Sequence, residues 1–243
     1  MGQWVVSEDD RIRGKVKAVG FEVKAGALQG YIVDKKSADA LGITNLSDFK
    51  DPKIAKVFDQ DGNGKADLIG CDPGWFCATV IEHHLDAYGL RDTVEHVQGD
   101  YSPLIDDTIT RYKHGEPVFF YTWTPNWTIG SLVPGEDVVW IQVPFPSLPE
   151  RHQDKEDLIL VDGVPGCVAD PCAMGFPPSD IRVVANKDFL KQNPTVRRLA
   201  EAVEIPLEDI NAQNARMIDG EDDDEDIRRH AREWIHKNRR KVD

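Results

Sequence analysis

Ala66-Asp67-Leu68-Ile69-Gly70-Cys71-Asp72-Pro73-Gly74-Trp75-Phe76-Cys77-Ala78-Thr79-Val80-Ile81 carries the clearest structural signal in the chain. Ala66 to Gly70 is compact and largely apolar and reads as a strand, and two cysteines then close a loop around Pro73, Gly74 and Trp75. From Ala78 onward, Val80, Ile81, Leu85 and Tyr88 recur at helical spacing, and Gly89 supplies a stop. A strand running through a tight loop directly into a helix is the repeating piece of an α/β architecture.

Working outward, strands and helices continue to alternate. Gly30 to Val33 reads as a strand, Lys36 to Leu41 as a helix ended by Gly42, and Asp51 to Phe58 as a further helical stretch. Ser102 and Pro103 are expected as N-cap and first residue of a helix reaching His114. Val118 to Trp123 and Val138 to Val143 are dense in aromatic and β-branched residues and read as buried strands. Leu148 to Pro178, rich in Pro, Asp and Gly, reads as a long loop. Ile181 to Ala185 is a strand, Asn193-Pro194 opens a helix through Val203, and Pro206 starts another through Met217. Asp222 to Arg240 forms the last helix, with Ile227, Ala231, Trp234 and Ile235 expected on its buried face. Its acidic start and basic end suit the helix dipole.

With 243 residues, the chain can form one large α/β domain or two modest lobes. Its 43 acidic against 29 basic residues give a net charge of −14, which argues against nucleic acid as a partner. There is no apolar run of the roughly 18 residues or more that a membrane-spanning helix needs. The opening Met1-Gly2-Gln3-Trp4 has neither a basic nor an apolar signal region, so no signal peptide is read in it. The four cysteines fall in two close pairs, Cys71 with Cys77 and Cys167 with Cys172, each bracketing a Pro-containing turn. Two small-loop disulfides are expected, and with them export to an oxidising compartment.

Trp75, in the cysteine loop, and Trp123, at the end of the strand leading into Thr124-Pro125, both lie where loops are expected to meet a cleft. An indole face attracts cations, and several such faces together hold a quaternary ammonium group that has no hydrogen to donate. Trp127, Trp140 and Trp234 continue strand or helix patterns and read as core; His83 and His84 read as ordinary helix residues. A second candidate is the run Asp59, Asp61, Asn63, Lys65 and Asp67, which matches most of a calcium loop. Gly70 stands where such a loop needs its bidentate Glu, so turn formation is the better reading and structural calcium the minor one. No nucleophile elbow, phosphate loop or zinc-protease motif is present, so binding without chemistry is expected, with no cofactor.

The order of motifs resembles the substrate-binding proteins of glycine betaine and proline betaine ABC importers, of the ProX type. The shared landmarks are Leu28-Gln29-Gly30-Tyr31, Asp51-Pro52-Lys53-Ile54-Ala55-Lys56, Asp61 to Leu68, the cysteine loop, Arg111-Tyr112-Lys113, Tyr121 to Pro125, Asp137-Val138-Val139-Trp140 and Asp209 to Ala215. The resemblance implies an exported, two-lobed periplasmic-binding-protein fold of type II, with parallel-sheet α/β lobes that close over one small zwitterion and deliver it to a membrane permease. It places cage tryptophans on Trp75 and Trp123 and backbone donors to the ligand carboxylate on Phe76 and Cys77. Gly74 would let the backbone come close, and the amides would lie at the first turn of a helix, where unpaired N–H groups favour an anion. Family members carry a further Trp-Thr-Pro segment upstream, which this chain lacks. The expected division is therefore 1–28 and 179–243 as the remainder of a first lobe whose N-terminal part is missing, and 29–178 as the second lobe. The alternative is a calcium-stabilised extracellular module for another small cationic or zwitterionic ligand.

Overall fold

The computed structural model describes residues 14–242. Its strands are β1 (Val16–Ala27), β2 (Gln29–Asp34), β3 (Ala66–Ile69), β4 (Val94–Val97), β5 (Phe119–Trp123), β6 (Val138–Ile141), the short pair β7 (Leu160–Val161) and β8 (Cys172–Ala173), and β9 (Ser179–Asn186). Its α-helices are α1 (Lys35–Leu41), α2 (Pro52–Ala55), α3 (Phe76–Ala87), α4 (Tyr101–Lys113), α5 (Trp127–Ser131), α6 (Lys187–Gln192), α7 (Pro194–Ala202), α8 (Leu207–Ile218), α9 (Asp224–Lys237) and α10 (Arg239–Val242). They fall into two compact units, the larger made of Leu28–Trp123 and Ser131–Pro178, the smaller of 14–27, Thr124–Gly130 and 179–242.

The larger unit is built on a five-stranded sheet of order β4-β3-β5-β2-β6. Its strands β3 and β6 are buried at every residue, as expected where both faces of a sheet are covered. The sheet is mixed rather than parallel: β3 runs parallel to β4 and β5, but β2 is antiparallel to both β5 and β6. Phe49 stacks on Phe119 at 4.0 Å and Phe58 packs on Phe49 at 5.2 Å, forming an aromatic core beneath this sheet. Trp140 is buried in β6, and both its backbone groups bond to the second cysteine loop, through Gly166 O and Val168 N.

The smaller unit has a two-stranded antiparallel ribbon of β1 and β9. The register slips twice along it, between Val19 and Val23 and between Val23 and Ala27. Val19 and Val23, four residues apart and so on one face, are its buried apolar pair. The last helix departs from expectation. On α9 only His230 is fully buried, while Ala231 is exposed, Ile227 and Trp234 are half-buried, and Ile235 is 46% exposed. The apolar side that the periodicity marks out is thus only partly covered, with Trp234 Nε1 donating to Asp209 Oδ2 of α8 at 2.8 Å.

Candidate functional site

Strand β3 ends at Ile69, and the chain passes Gly70 into the Cys71–Cys77 loop, whose two sulfurs are bonded. Cys167 and Cys172 form the second bridge, and none of the described cysteines is free. Gly70 sits against the buried ring of His96, where a Cβ would fall 1.9 Å from Nε2, so only glycine fits. Gly74 has φ of +88°, and no protein atom lies within 4 Å of where its Cβ would be. It is there for a left-handed turn rather than for close packing against the chain. The turn closes with Trp75 N–H donating to Asp72 O at 3.1 Å.

Helix α3 then starts at Phe76, with Trp75 as its N-cap and no side chain capping it. Its first N–H groups, those of Phe76 and Cys77 among them, lie at the positive end of the helix, where no carbonyl of the preceding turn can accept them. Phe76 is held from the side by the ring of His152, edge to face at 4.6 Å.

The two sequence-marked indoles come together. Trp75 and Trp123 have ring centroids 6.0 Å apart with planes inclined at 67°, so they form a corner. Both are half-buried. A third ring, which the sequence reading did not single out, completes the group. Tyr101, 4% exposed, lies 4.5 Å from Trp123 and 6.4 Å from Trp75. Helix α4 begins at Tyr101 with Asp100 as N-cap, not with Ser102 and Pro103. The start moves because the carboxylate of Asp72, in the cysteine loop, accepts the Tyr101 N–H at 3.1 Å and caps the helix from outside.

Behind the site, His84 of α3 is fully buried, with Nδ1 accepting from Tyr31 Oη at 2.7 Å and Nε2 donating to Ser147 O at 2.9 Å. Burial, more than any neighbour, pushes its pKa down to about 3, so the ring is neutral and holds one tautomer. His83 meets Ser147 Oγ at 2.8 Å. These adjacent histidines therefore clamp the segment after β6 onto α3.

The acidic run takes the form of a turn cluster. Asp59 accepts from Gly62 N and Gly64 N, Asp61 from Asn63 N, Asn63 from Lys65 N, and the buried Asp67 from Gln60 N at 2.6 Å. Oxygens of Asp59, Asp61 and Asp67 lie within 4.8 Å of one another. Burial first, then the neighbouring carboxylates of Asp61, Asp59 and Glu95, raise the Asp67 pKa against the lowering effect of the Gln60 bond. The Asx bonds account for each of these residues as turn formers.

Residues 8–237 match the family described as the substrate-binding domain of the ABC-type glycine betaine transport system, OpuAC. The glycine betaine-binding periplasmic protein OusX of Dickeya dadantii is 51% identical over 90% of this chain and 63% of its own length. The glycine betaine/proline betaine-binding periplasmic protein of Escherichia coli is 49% identical over the same shares. The chain thus spans 63% of the length of these relatives. Among solved structures, the ProX glycine betaine, L-proline-binding protein of Borrelia burgdorferi superposes with a TM-score of 0.62 at 18% identity, covering 96% of this chain and 70% of that one. That superposition gives the fold as a type II periplasmic-binding-protein architecture, and the chain belongs to the OpuAC family of ABC-transporter substrate-binding domains.

Proposed function

We propose that the protein captures glycine betaine, or the closely similar proline betaine, outside the cytoplasm and delivers it to the membrane permease of an ABC importer. The observation that carries this reading is the indole corner of Trp75 and Trp123 set beside the uncapped start of α3. A trimethylammonium group in that corner lies within the roughly 6 Å reach of a cation–π contact to both rings. A carboxylate two bonds away meets the amides of Phe76 and Cys77 at a helix N-terminus. The disulfide from Cys71 to Cys77 holds loop and helix start in one arrangement before the ligand arrives, which lowers the ordering cost of binding. The relatives' names support the ligand class. The ligand leaves unchanged, since this reading assigns the site no reacting group.

Each desolvated cation–π contact contributes about 1–2 kcal/mol, and micromolar affinity needs about 8 kcal/mol, so the carboxylate contacts supply much of the remainder. Choline, with the cation alone, and glycine, with the carboxylate but no methyl groups, should therefore both bind far more weakly than betaine. Trp75→Ala and Trp123→Ala should each weaken betaine binding at least about tenfold while leaving the fold intact. Titration calorimetry decides: choline matching betaine, or normal binding by either variant, rules out the cage. The calcium-stabilised alternative is not favoured, because the acidic loop is accounted for by its own turn bonds.

A further inference from the structure

Tyr101 touches both halves of the aromatic corner by three separate means. Its ring packs on Trp123 at 4.5 Å and faces Trp75 at 6.4 Å, nearly parallel to it at 26°. Its backbone N–H is bonded to Asp72, three residues before Trp75 in the disulfide loop. Its hydroxyl donates to Thr122 Oγ1 at 2.8 Å, one residue before Trp123 on β5. Thr122 is fully buried, and Tyr101 nearly so, while both indoles are half-buried. The tyrosine therefore stands on the protein side of the corner, tied to the loop that carries one wall and to the strand that carries the other. No other described residue is joined to both segments by hydrogen bonds and to both indoles by ring contact.

We propose that Tyr101 is a positioning residue that sets the gap between Trp75 and Trp123, and so selects a fully methylated ammonium over a smaller, less methylated one. This inference rests on the reading of those indoles as cage walls. Attraction between a cation and a ring falls with distance, so a corner held at one opening suits one head-group size. If the opening relaxes, the bulky trimethylammonium loses contact with one wall. A dimethylammonium, which keeps an N–H and can retain a hydrogen bond to water, depends less on both walls at once.

The test uses the full chain and two probes, glycine betaine and dimethylglycine, titrated by calorimetry, with near-ultraviolet circular dichroism as a readout that needs no ligand. Tyr101→Leu removes the ring. It should weaken betaine binding by about tenfold, lower the betaine-to-dimethylglycine affinity ratio by a similar factor, and change the tryptophan dichroism. Tyr101→Phe and Thr122→Val each release the hydroxyl tie while keeping the ring, and each should lower the ratio by about threefold, with no further loss in the double variant. A ratio and a dichroism like those of the unaltered protein in Tyr101→Leu overturn the proposal. If that variant does not fold, an unaltered ratio in both Tyr101→Phe and Thr122→Val overturns it instead. If the unaltered protein binds neither probe, the betaine reading fails and the selectivity role fails with it. Dichroism that is also unchanged in Tyr101→Leu and Tyr101→Phe would then remove the positioning role as well.

Discussion

Both units expose some large apolar side chains, but only the larger has a core of buried aromatic rings, whereas the smaller buries little beyond Val19, Val23, Ile129 and Leu190. Around the five-stranded sheet, Tyr31, Phe49, Phe58, Phe119, Phe120 and Trp140 are all buried. Around the ribbon of β1 and β9, by contrast, Phe189 is 47% exposed, Leu199 50%, Ile218 53% and Ile235 46%. A two-stranded ribbon is marginal as a scaffold in water, whereas a sheet of three or more strands with a covered face is not. Polar contacts link α8 and α9: Trp234 Nε1 donates to Asp209 at 2.8 Å, and Glu221 bonds Arg216 at 2.7 Å, Arg229 at 2.8 Å and His230 at 2.6 Å. Arg216 first, then His230 and Arg229, hold the Glu221 carboxyl down at about 2. Exposed pairs of this kind each contribute little, because water screens them. The better-packed part of the molecule is therefore the larger unit. All three rings of the aromatic corner belong to the larger unit, so their geometry rests on its core and not on the ribbon.

Amide hydrogen exchange followed residue by residue should show the largest difference between the two units. Amides of β2, β3 and β5 should exchange only through global unfolding of the larger unit, and those of β1 and β9 through local opening. The two sets should differ in protection by about three orders of magnitude, or about 4 kcal/mol. Equal protection in both sets would mean that the units unfold as one.

Single substitutions test the same contrast on a smaller scale. Phe119→Ala opens a cavity between Phe49 and Phe58 and should cost about 3–5 kcal/mol in denaturant melts. Leu199→Ala, at a side chain already half in water, should stay within about 0.5 kcal/mol. A large loss at Leu199 would show that its apolar side is covered in solution.

Acid should act mainly on the larger unit through His84. Its ring is neutral in the folded chain down to about pH 3, against an ordinary value of 6.5, so the unfolded chain binds the extra proton between those limits. The stability it contributes is therefore complete above pH 6.5 and is lost as the pH falls toward 3, at about 1.4 kcal/mol per unit once well below 6.5. From pH 6.5 to 5 the loss is about 2 kcal/mol. His84→Gln, which keeps a donor and an acceptor, should flatten this slope, and a slope unchanged in that variant would assign it to other groups, His96 among them.

Much of this was legible in the chain, and the failures have physical causes. The strand, loop and helix from Ala66 to Ala87 could be read because burial on both faces of β3 and on one side of α3 leaves a dense apolar pattern. Cysteine spacing gave both disulfides. Strand β1 escaped because Val16-Lys17-Ala18-Val19-Gly20-Phe21-Glu22-Val23 does not alternate apolar with polar residues, and β4 because Glu95 and His96 interrupt its apolar pattern. Tyr101 was passed over because its link to the indoles is a bond to Asp72 and another to Thr122, distant in sequence and invisible to periodicity. On α9 the apolar period was read correctly as a side of the helix. Periodicity does not say what lies against that side, and the expectation of burial failed there.

The smallest effect separates the units most directly, because both use the same device. In the larger unit Asn45 caps a short helical turn at Leu46–Lys50, its Oδ1 accepting from Ser47 N at 2.9 Å while Asp48 accepts the Asn45 N–H at 2.9 Å. In the smaller unit Asp223 caps α9, accepting from Glu225 N at 2.8 Å and Asp226 N at 2.9 Å. Replacing either cap by Ala should cost about 1 kcal/mol of local stability. The cost should be read out differently. The Asn45 turn packs Leu46 and Phe49 into the aromatic core, so Asn45→Ala should move the main cooperative transition. The α9 cap touches only the part linked by polar contacts, so Asp223→Ala should raise the exchange of α8 and α9 amides and leave the main melting transition where it was. A shift of that transition in Asp223→Ala equal to the shift in Asn45→Ala would mean that the smaller unit is folded by the same cooperative core, and the contrast between the two units would be one of surface only.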